Sequence, residues 1–258
     1  MLWKLLKYDF RSMWKQFSVI WPAALLLGLI NRFTLDTGAH GTSDVGEWTA
    51  VISMTLFISV FAAMVIVSVV FVLNRFYKGL LGDEGYLMHT LPVKTWQLVL
   101  SKLVCALAVT VVNMIVAFLA MFLMMPLKWE EIFDPRLWNM LVWGLREQPD
   151  TILYLVEFFL MFLAMFAMMF TMIYLSMAIG HLFSKRRIFM SVAAFFGIDI
   201  LGSIIISSLH NMDLDLLDWA MGLTNHSACW AWIGLMLVPT VLMFLGTSYI
   251  LKNHLNLE

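Results

Sequence analysis

Residues 48–73, WTAVISMTLFISVFAAMVIVSVVFVL, decide the fold class of this chain because they are apolar throughout and contain no charged side chain. About 20 apolar residues are enough to cross the hydrocarbon core of a bilayer as an α-helix, and this run is longer. Of all 258 residues, 62% are hydrophobic and 13% are charged, whereas a soluble domain is about half apolar and about a quarter charged. No apolar run shows the short alternation of an outer-membrane barrel, so the sequence predicts an all-α integral membrane protein.

Apolar runs on both sides of this stretch predict six transmembrane helices in a single domain, at about residues 17–31, 48–74, 99–125, 151–183, 188–209 and 229–251. A helix over residues 1–16, continuing into the first span, is predicted to lie on the membrane surface. It carries aromatic and apolar residues on one face and, beside them, a basic stripe of Lys4, Lys7, Arg11 and Lys15.

Two shorter helices are predicted on the outer side of the membrane. Asp134 followed by Pro135 is typical of an N-cap and a first helical residue, and indicates a short amphipathic helix between the third and fourth spans. Residues 213–221 combine aspartates with apolar residues at helix-compatible positions, which predicts a half-inserted helix before the last span.

The basic residues orient this topology. Twelve of the sixteen lysines and arginines fall on one side of it, and only Arg32, Lys128, Arg136 and Arg146 fall on the other. Because cytosolic loops are enriched in Lys and Arg, both termini are predicted to lie in the cytosol. A net charge of −1 without a clustered basic surface gives no reason to expect a nucleic-acid partner.

The sequence lacks the motifs that carry common enzyme chemistry. It contains no GxxxxGK[ST] phosphate loop, no HExxH, no GxSxG and no cluster of Cys and His residues. Cys105 and Cys229 match no metal spacing and form no disulfide framework, and the six histidines are interpreted as polar residues at span boundaries. We therefore predict no catalytic, cofactor-binding or metal-binding residue in this chain, and no enzyme activity of its own.

Three polar residues interrupt the predicted spans, where an uncompensated polar group is costly. Asn113 and Asp199 lie near the middle of the third and fifth spans and are candidates either for a translocation path or for a seam between helices. In the second interpretation the Asp199 carboxyl group hydrogen-bonds a neighbouring helix, for instance through Asn113 or Ser203. Glu157 lies near the outer end of the fourth span, so its side chain is expected to reach water.

Residues 75–102 form the longest polar interruption on the predicted cytosolic side. They combine basic residues, glycines on both sides of an acidic pair, and a Leu-Pro break. Apolar residues beside these charges favour a docking surface for a partner, and the alternative is an ordinary solvated loop. The apolar residues are Leu80, Leu81, Tyr86, Leu87 and Met88.

A basic amphipathic N-terminal helix, a long second span and the sequence DEGYLMHTLPVKTWQLVLSKL at residues 83–103 together resemble permease subunits of bacterial ATP-binding-cassette (ABC) transporters of the type-2 exporter class. The resemblance implies that this loop forms a coupling helix that docks on a separate ATPase subunit, which binds ATP and Mg²⁺. The positions that match the loop motif are Asp83, Glu84, Gly85, Tyr86, Leu91, Pro92, Ser101 and Lys102. The outer segment 126–150 is longer than in a minimal member of the class.

The same resemblance implies a second permease subunit, identical or homologous, and the lipid of a bacterial cytoplasmic membrane as further partners. The expected function is ATP-driven export of a lipid, drug or peptide. An alternative is a membrane scaffold or sensor that transports nothing and anchors an ATPase or kinase for signalling or peptide immunity. A third, an intramembrane enzyme, lacks paired catalytic groups at a common depth.

Overall fold

The computed structural model describes residues 2–40, 44–82, 93–124, 134–147, 150–183, 186–211 and 226–253. Within these ranges the chain is helical and has no β-strand, as the sequence predicts. The elements are α1 (Leu2–His40), α2 (Asp44–Phe76), a π-helical turn (Tyr77–Leu81), α3 (Thr95–Met124), α4 (Pro135–Glu147), α5 (Asp150–His181), α6 (Arg187–Asn211) and α7 (His226–Asn253).

Five helical segments of the described chain are long and apolar enough to cross a membrane. They are Met54–Leu81, Thr95–Met124, Asp150–His181, Arg187–Ser208 and His226–Asn253. Their positions correspond to the predicted second to sixth spans, and the length of each meets what a bilayer requires. The predicted first span corresponds to a shorter apolar segment, Phe17–Phe33. The chain therefore has the features of a multi-pass membrane protein, with five such segments in the described ranges.

The predicted surface helix and first span belong to one helix, α1, which contains Pro22 in its interior. Lys7 and Arg11 are exposed, as a basic stripe beside anionic headgroups requires, while the side chains of Lys4 and Lys15 lie outside the described part of the chain. The aromatic residues change from exposed to buried along the helix. Trp14 is half exposed, whereas Phe17 is fully buried, so the packing of α1 begins at the start of its apolar segment.

The short helix predicted between the third and fourth spans begins where the sequence predicts. The backbone N–H of Arg136 donates to a carboxylate oxygen of Asp134 at 2.9 Å, and Pro135 is the first residue of α4. An Asp at the N-cap satisfies one of the backbone donors that a helix start leaves open. Trp138 and Val142 lie one turn apart and are both exposed, so α4 presents an apolar surface. The half-inserted helix predicted at residues 213–221 lies outside the described residues.

The contacts divide the chain into two units, one of residues 7–71 and 108–149 and the other of residues 1–6, 72–107 and 150–258. In the first unit the ring centroids of Phe17 and Phe71 lie 5.5 Å apart, edge to face, and join α1 to α2. Gly28 of α1 lies against the backbone of Ala120 in α3, since a Cβ atom at Gly28 would come within 2.7 Å of the Ala120 carbonyl oxygen. Small residues thus allow close helix approach, as in many membrane helix pairs.

In the second unit α5 packs along both α6 and α7. Its buried positions are mostly small or aromatic, including Ala164, Ala167 and Phe170. Near its C-terminal end Gly180 lies directly against Ser191 of α6, where a Cβ atom would come within 2.6 Å of the Ser191 backbone nitrogen. Gly197 of α6, by contrast, has no neighbouring atom within 4 Å of its Cβ position.

These glycine environments predict different effects of the same substitution. Gly28→Ala should lower the thermal stability of the full chain in detergent, because the Ala120 backbone cannot move aside as a flexible side chain can. We expect a loss of about 1–3 kcal/mol, typical of overpacking. Gly197→Ala is the control, since it meets open space and alanine favours a helix more than glycine does. Equal stability of both variants would contradict a close approach of α1 to α3.

Candidate functional site

Most of the predicted docking residues, those from Asp83 to Pro92, lie outside the described residues, so their role stays a prediction. The described chain reaches Gly82 on one side of this segment and Val93 on the other. We use the name loop base for the packed region formed by residues 76–82, residues 93–102 and the C-terminal end of α5. The loop base is the candidate site, because it holds both ends of the predicted docking segment.

Leu80 and Leu81 belong to the loop base, and the structure corrects their predicted role. Their side chains are 0% and 4% exposed, so they pack inside the chain and cannot present an apolar surface to a partner. The reason is that the turn carrying them contacts α5 instead of extending into solvent. The predicted docking surface is thereby reduced to residues between Asp83 and Pro92.

The turn that carries these leucines is a π-helix, Tyr77–Leu81, directly after the last residue of α2. The backbone N–H of Gly82 donates to the carbonyl oxygen of Tyr77 at 2.8 Å and closes the wider ring of this geometry. Gly82 itself is extended, with φ −97° and ψ −165°, so the helix ends there. Single π-helical turns are rare and occur frequently at functional sites. This one lies directly before the predicted docking residues 83–92 in the sequence.

Aromatic contacts fix the turn against α5. The rings of Phe76 and Tyr174 are nearly parallel, with an interplanar angle of 6° and centroids 4.0 Å apart. Both side chains are 1% exposed. Next to them, the ring of Tyr77 meets His181 edge to face at 5.6 Å. Aromatic pairs contribute about 0.5–1.5 kcal/mol beyond the burial of their area, so these two contacts hold the end of α2 on the end of α5.

The other end of the docking segment returns to the loop base through a capped helix start. The backbone N–H of Lys94 donates to the side-chain oxygen of Gln97 at 3.3 Å, and the backbone N–H of Gln97 donates to the Lys94 carbonyl at 2.9 Å. A Gln that reaches back to the N-cap backbone is one half of a capping box. The helix start is therefore fixed by local hydrogen bonds. Trp96 in the first turn is exposed, and the buried part of α3 begins at Leu98 and Val99.

Ser101 and Lys102, which match the loop motif by resemblance, are 0% and 3% exposed. The end of the Lys102 side chain passes the π-helical turn, because a Cβ atom at Gly79 would lie 3.3 Å from its Cε and Nζ atoms. The Ser101 hydroxyl donates to the Leu98 carbonyl within α3 at 2.9 Å. These two residues contribute to the packing of the loop base, and Gly79 leaves the space that Lys102 occupies.

The turn between α5 and α6 lies at the same end of α5. A guanidinium nitrogen of Arg187 lies 3.5 Å from Nε2 of His181, the residue that also contacts Tyr77. Arg186 has φ 59°, in the left-handed region that non-glycine residues seldom adopt, and this conformation reverses the chain within a few residues. The loop base therefore brings together the described flanks of the predicted docking segment, in α2 and α3, and the end of α5.

Asn113, a candidate for a path or a seam, lies in a seam between α1, α2 and α3. Its side-chain oxygen accepts a hydrogen bond from the Trp21 indole at 2.8 Å, and its amide nitrogen donates to the Ser68 hydroxyl at 2.7 Å. The Ser68 hydroxyl in turn donates to the Met64 carbonyl at 2.6 Å. The Asn113 amide thus joins three helices through polar contacts inside an apolar unit.

The structure places Asp199 differently from the seam interpretation. Its side chain is exposed. It lies on α6, in which none of residues 187–208 is buried. The Ser203 hydroxyl donates to the Asp199 backbone carbonyl at 3.0 Å and not to its carboxyl group. The predicted hydrogen bond from Ser203 to this carboxyl group is therefore not formed.

Glu157 was predicted to reach water, and this prediction is wrong. The side chain is 1% exposed, and a carboxylate oxygen lies 2.8 Å from Nδ1 of His226 at the start of α7. The sequence does not indicate this pair, because the two residues are 69 positions apart. The available signal was the acid itself, since a carboxyl group inside an apolar helix requires a polar partner.

Within the described ranges, no group of three His, Cys, Asp or Glu residues is arranged to hold a metal ion. Comparisons of the chain with protein-family models, with curated proteins and with solved structures give no match.

The loop base predicts a large effect of a single truncation. Phe76→Ala should destabilise the full chain by about 3 kcal/mol, because it leaves a cavity beside Tyr174 in a fully buried position. The free energy of unfolding in detergent, followed by tryptophan fluorescence, measures this loss. Phe189→Ala, at an exposed position near the start of α6, is the matched control and should change stability by less than about 1 kcal/mol. Similar losses in both variants would show that the stack does not hold the turn.

Proposed function

We propose that this chain is the membrane-spanning permease subunit of an ABC exporter, and that residues 83–92 dock on a separate ATPase subunit. The observation that carries the proposal is the loop base. The two flanks of the docking segment lead into buried packing that includes the last turn of α2, the second turn of α3 and the end of α5. A partner that pushes on the segment therefore acts on three long apolar helices together.

The sequence of the docking segment supports the same proposal. Residues 83–103 resemble the coupling region of type-2 exporter permeases, and they combine an acidic pair, Asp83 and Glu84, with apolar residues and a Leu-Pro break. The chain contains no phosphate loop, so in this proposal ATP and Mg²⁺ bind to the partner. Acidic and apolar side chains side by side suit a protein surface that offers a basic rim around an apolar pocket.

The charge distribution supports the orientation. Twelve of the sixteen basic residues fall on the side that carries residues 83–92, as the positive-inside rule requires of a cytosolic face. In this arrangement the chain crosses a bacterial cytoplasmic membrane six times with both termini in the cytosol. The docking segment then faces the compartment that supplies ATP.

The exposed Asp199 on α6 is an argument for a second membrane subunit in the proposed complex. Asp199 is exposed near the middle of an apolar helix, where contact with hydrocarbon would cost several kcal/mol. A second permease subunit, identical or homologous, removes this cost by covering α6 or by enclosing a water-filled path beside it. Alternating exposure of such a path to the two sides of the membrane, driven by two ATPases, is the mechanism that we propose for export of a lipid, drug or peptide.

Charge reversal tests the docking role. The double variant Asp83→Lys/Glu84→Lys should insert and fold normally, because its changes lie outside the apolar helices, yet retain about tenfold less ATP-hydrolysing subunit when the tagged chain is purified. ATP-driven substrate efflux from vesicles should fall with it. Glu147→Lys, a single charge reversal at the exposed end of α4, is the control and should behave as wild type.

The outcomes distinguish the candidate functions. Normal ATPase retention and normal efflux in the double variant would contradict docking through residues 83–92. ATPase retention by the wild-type chain with no substrate efflux in any vesicle assay would instead support the scaffold or sensor alternative. Loss of both activities in Glu147→Lys as well would indicate a general loss of folding.

A further inference from the structure

Helix α4 (Pro135–Glu147) takes no part in the proposed coupling, and it differs from the long apolar helices. Its 13 residues extend for about 20 Å, which is too short for a hydrocarbon core of about 30 Å. It also carries three charged residues with exposed side chains, Arg136, Arg146 and Glu147. These features show that α4 does not cross a membrane.

One face of α4 is nevertheless apolar. Trp138, Val142 and Leu145 follow one another at intervals of four and three residues, so they lie on one side of the helix and form what we call its apolar face. Their exposed fractions are 56%, 50% and 38%. Arg136 and Glu147 lie on the opposite side, as 3.6 residues per turn requires. All side chains of α4 that the structure describes are exposed, so the chain itself leaves the apolar face open.

A helix of this length depends on packing of its apolar face. Isolated helices shorter than about 12–15 residues are marginal in water even for good helix formers. Gly144 lowers the stability of α4 further, by about 1 kcal/mol relative to alanine. The N-cap at Asp134 contributes about 1 kcal/mol and offsets only this loss. A stable α4 therefore requires an apolar surrounding at Trp138, Val142 and Leu145.

The chain on both sides holds α4 near a membrane surface. It follows α3 and precedes α5, and both of these helices are long and apolar enough to cross a membrane. Only residues 148 and 149 separate Glu147 from Asp150, the first residue of α5. Since an extended chain rises by at most about 3.6 Å per residue, Glu147 lies within about 11 Å of Asp150. The headgroup region beside the hydrocarbon core is itself about 5–8 Å thick, so the end of α4 lies at or next to it.

The side chains of α4 suit the chemistry of that region. Tryptophan is enriched at membrane–water interfaces, where its ring contacts acyl chains and its N–H reaches a polar partner. Arg146 lies beside the apolar face, about 80° around the helix from Trp138. A guanidinium group in this position can bind lipid phosphate oxygens while its aliphatic stem stays on apolar surface.

We propose that α4 is an interfacial anchor that lies flat in the membrane surface between the ends of α3 and α5. Trp138, Val142 and Leu145 contact the acyl chains, and Arg136 and Glu147 face water. The occupant of the apolar face is thus lipid rather than protein. This contact fixes the connection between α3 and α5 to the membrane surface.

Spin labels at two neighbouring positions test the anchor in the full chain, reconstituted in phosphatidylcholine vesicles without any ATPase. Cys105 and Cys229 are replaced by alanine, and the label is attached to Leu145→Cys or to Glu147→Cys as the matched control. The two positions are two residues apart along α4 and on opposite sides of it. At position 145, relaxation by oxygen, which concentrates in the bilayer, should exceed relaxation by a water-soluble nickel chelate several-fold. The order should be reversed at position 147.

Each other result contradicts the proposal. Access of the nickel chelate to both positions would show that the apolar face lies in water. Low access of both reagents at position 145 would show that protein, such as a second copy of the chain, covers the face.

A charge on the apolar face tests whether this face holds α4 in place. Val142→Asp should increase nickel access to the label at position 145 several-fold, because a carboxylate among acyl chains is costly. Asn139→Asp adds the same charge outside the apolar face and should leave the label unchanged. An unchanged label in Val142→Asp, with helix content by circular dichroism equal to wild type, would overturn the proposal. Because no ATPase is present, these results are independent of the test of docking through residues 83–92.

Discussion

The absence of water from the hydrocarbon core is the constraint on which this structure depends. A buried polar group in an apolar helix has only the chain itself to bind. Several hydroxyls meet this requirement locally, because they donate to carbonyls four residues earlier in the same helix: Ser68, Thr171, Thr240 and Thr247. Asn113 and Glu157 have longer polar side chains and meet it across helices, through Trp21, Ser68 and His226. The polar residues of the spans thereby specify which helices pack together.

The same constraint shapes the loop base, to which the proposed function assigns mechanical coupling. Where α2 ends, its last residues do not extend into solvent but turn through a π-helix onto α5, with Phe76 and Tyr174 stacked inside. On the other side of residues 83–92, α3 has a capped start, and its Leu98 and Val99 are buried. The described residues on both sides of residues 83–92 are thus held by ring packing or by local hydrogen bonds. In the proposed function, a partner that docks on residues 83–92 acts on this packing.

Periodicity and composition were sufficient to predict the helical elements, because each apolar run and each cap is a local feature. Asp134 and Pro135 mark the start of α4, and the five long apolar segments follow directly from hydropathy. The candidate site was predicted less well, because burial depends on contacts between distant residues. Leu80 and Leu81 are apolar residues in a polar stretch, and this pattern is compatible both with a docking surface and with a turn that packs back onto the chain. The contact of the turn with α5 shows that the leucines are buried. Glu157 was misjudged for the same reason, since nothing near it in sequence indicates His226.

The central claim is that residues 83–92 face the cytosol and contact an ATPase. It is tested most directly by a single cysteine, Tyr86→Cys, in a chain whose free cysteines, Cys105 and Cys229, have been replaced. A membrane-impermeant maleimide should label this cysteine in inside-out vesicles and not in intact cells. A short cysteine-reactive photocrosslinker at the same position should join the chain to an ATP-hydrolysing subunit. Labelling from outside intact cells, or a cross-link that forms only within the chain, would contradict the account.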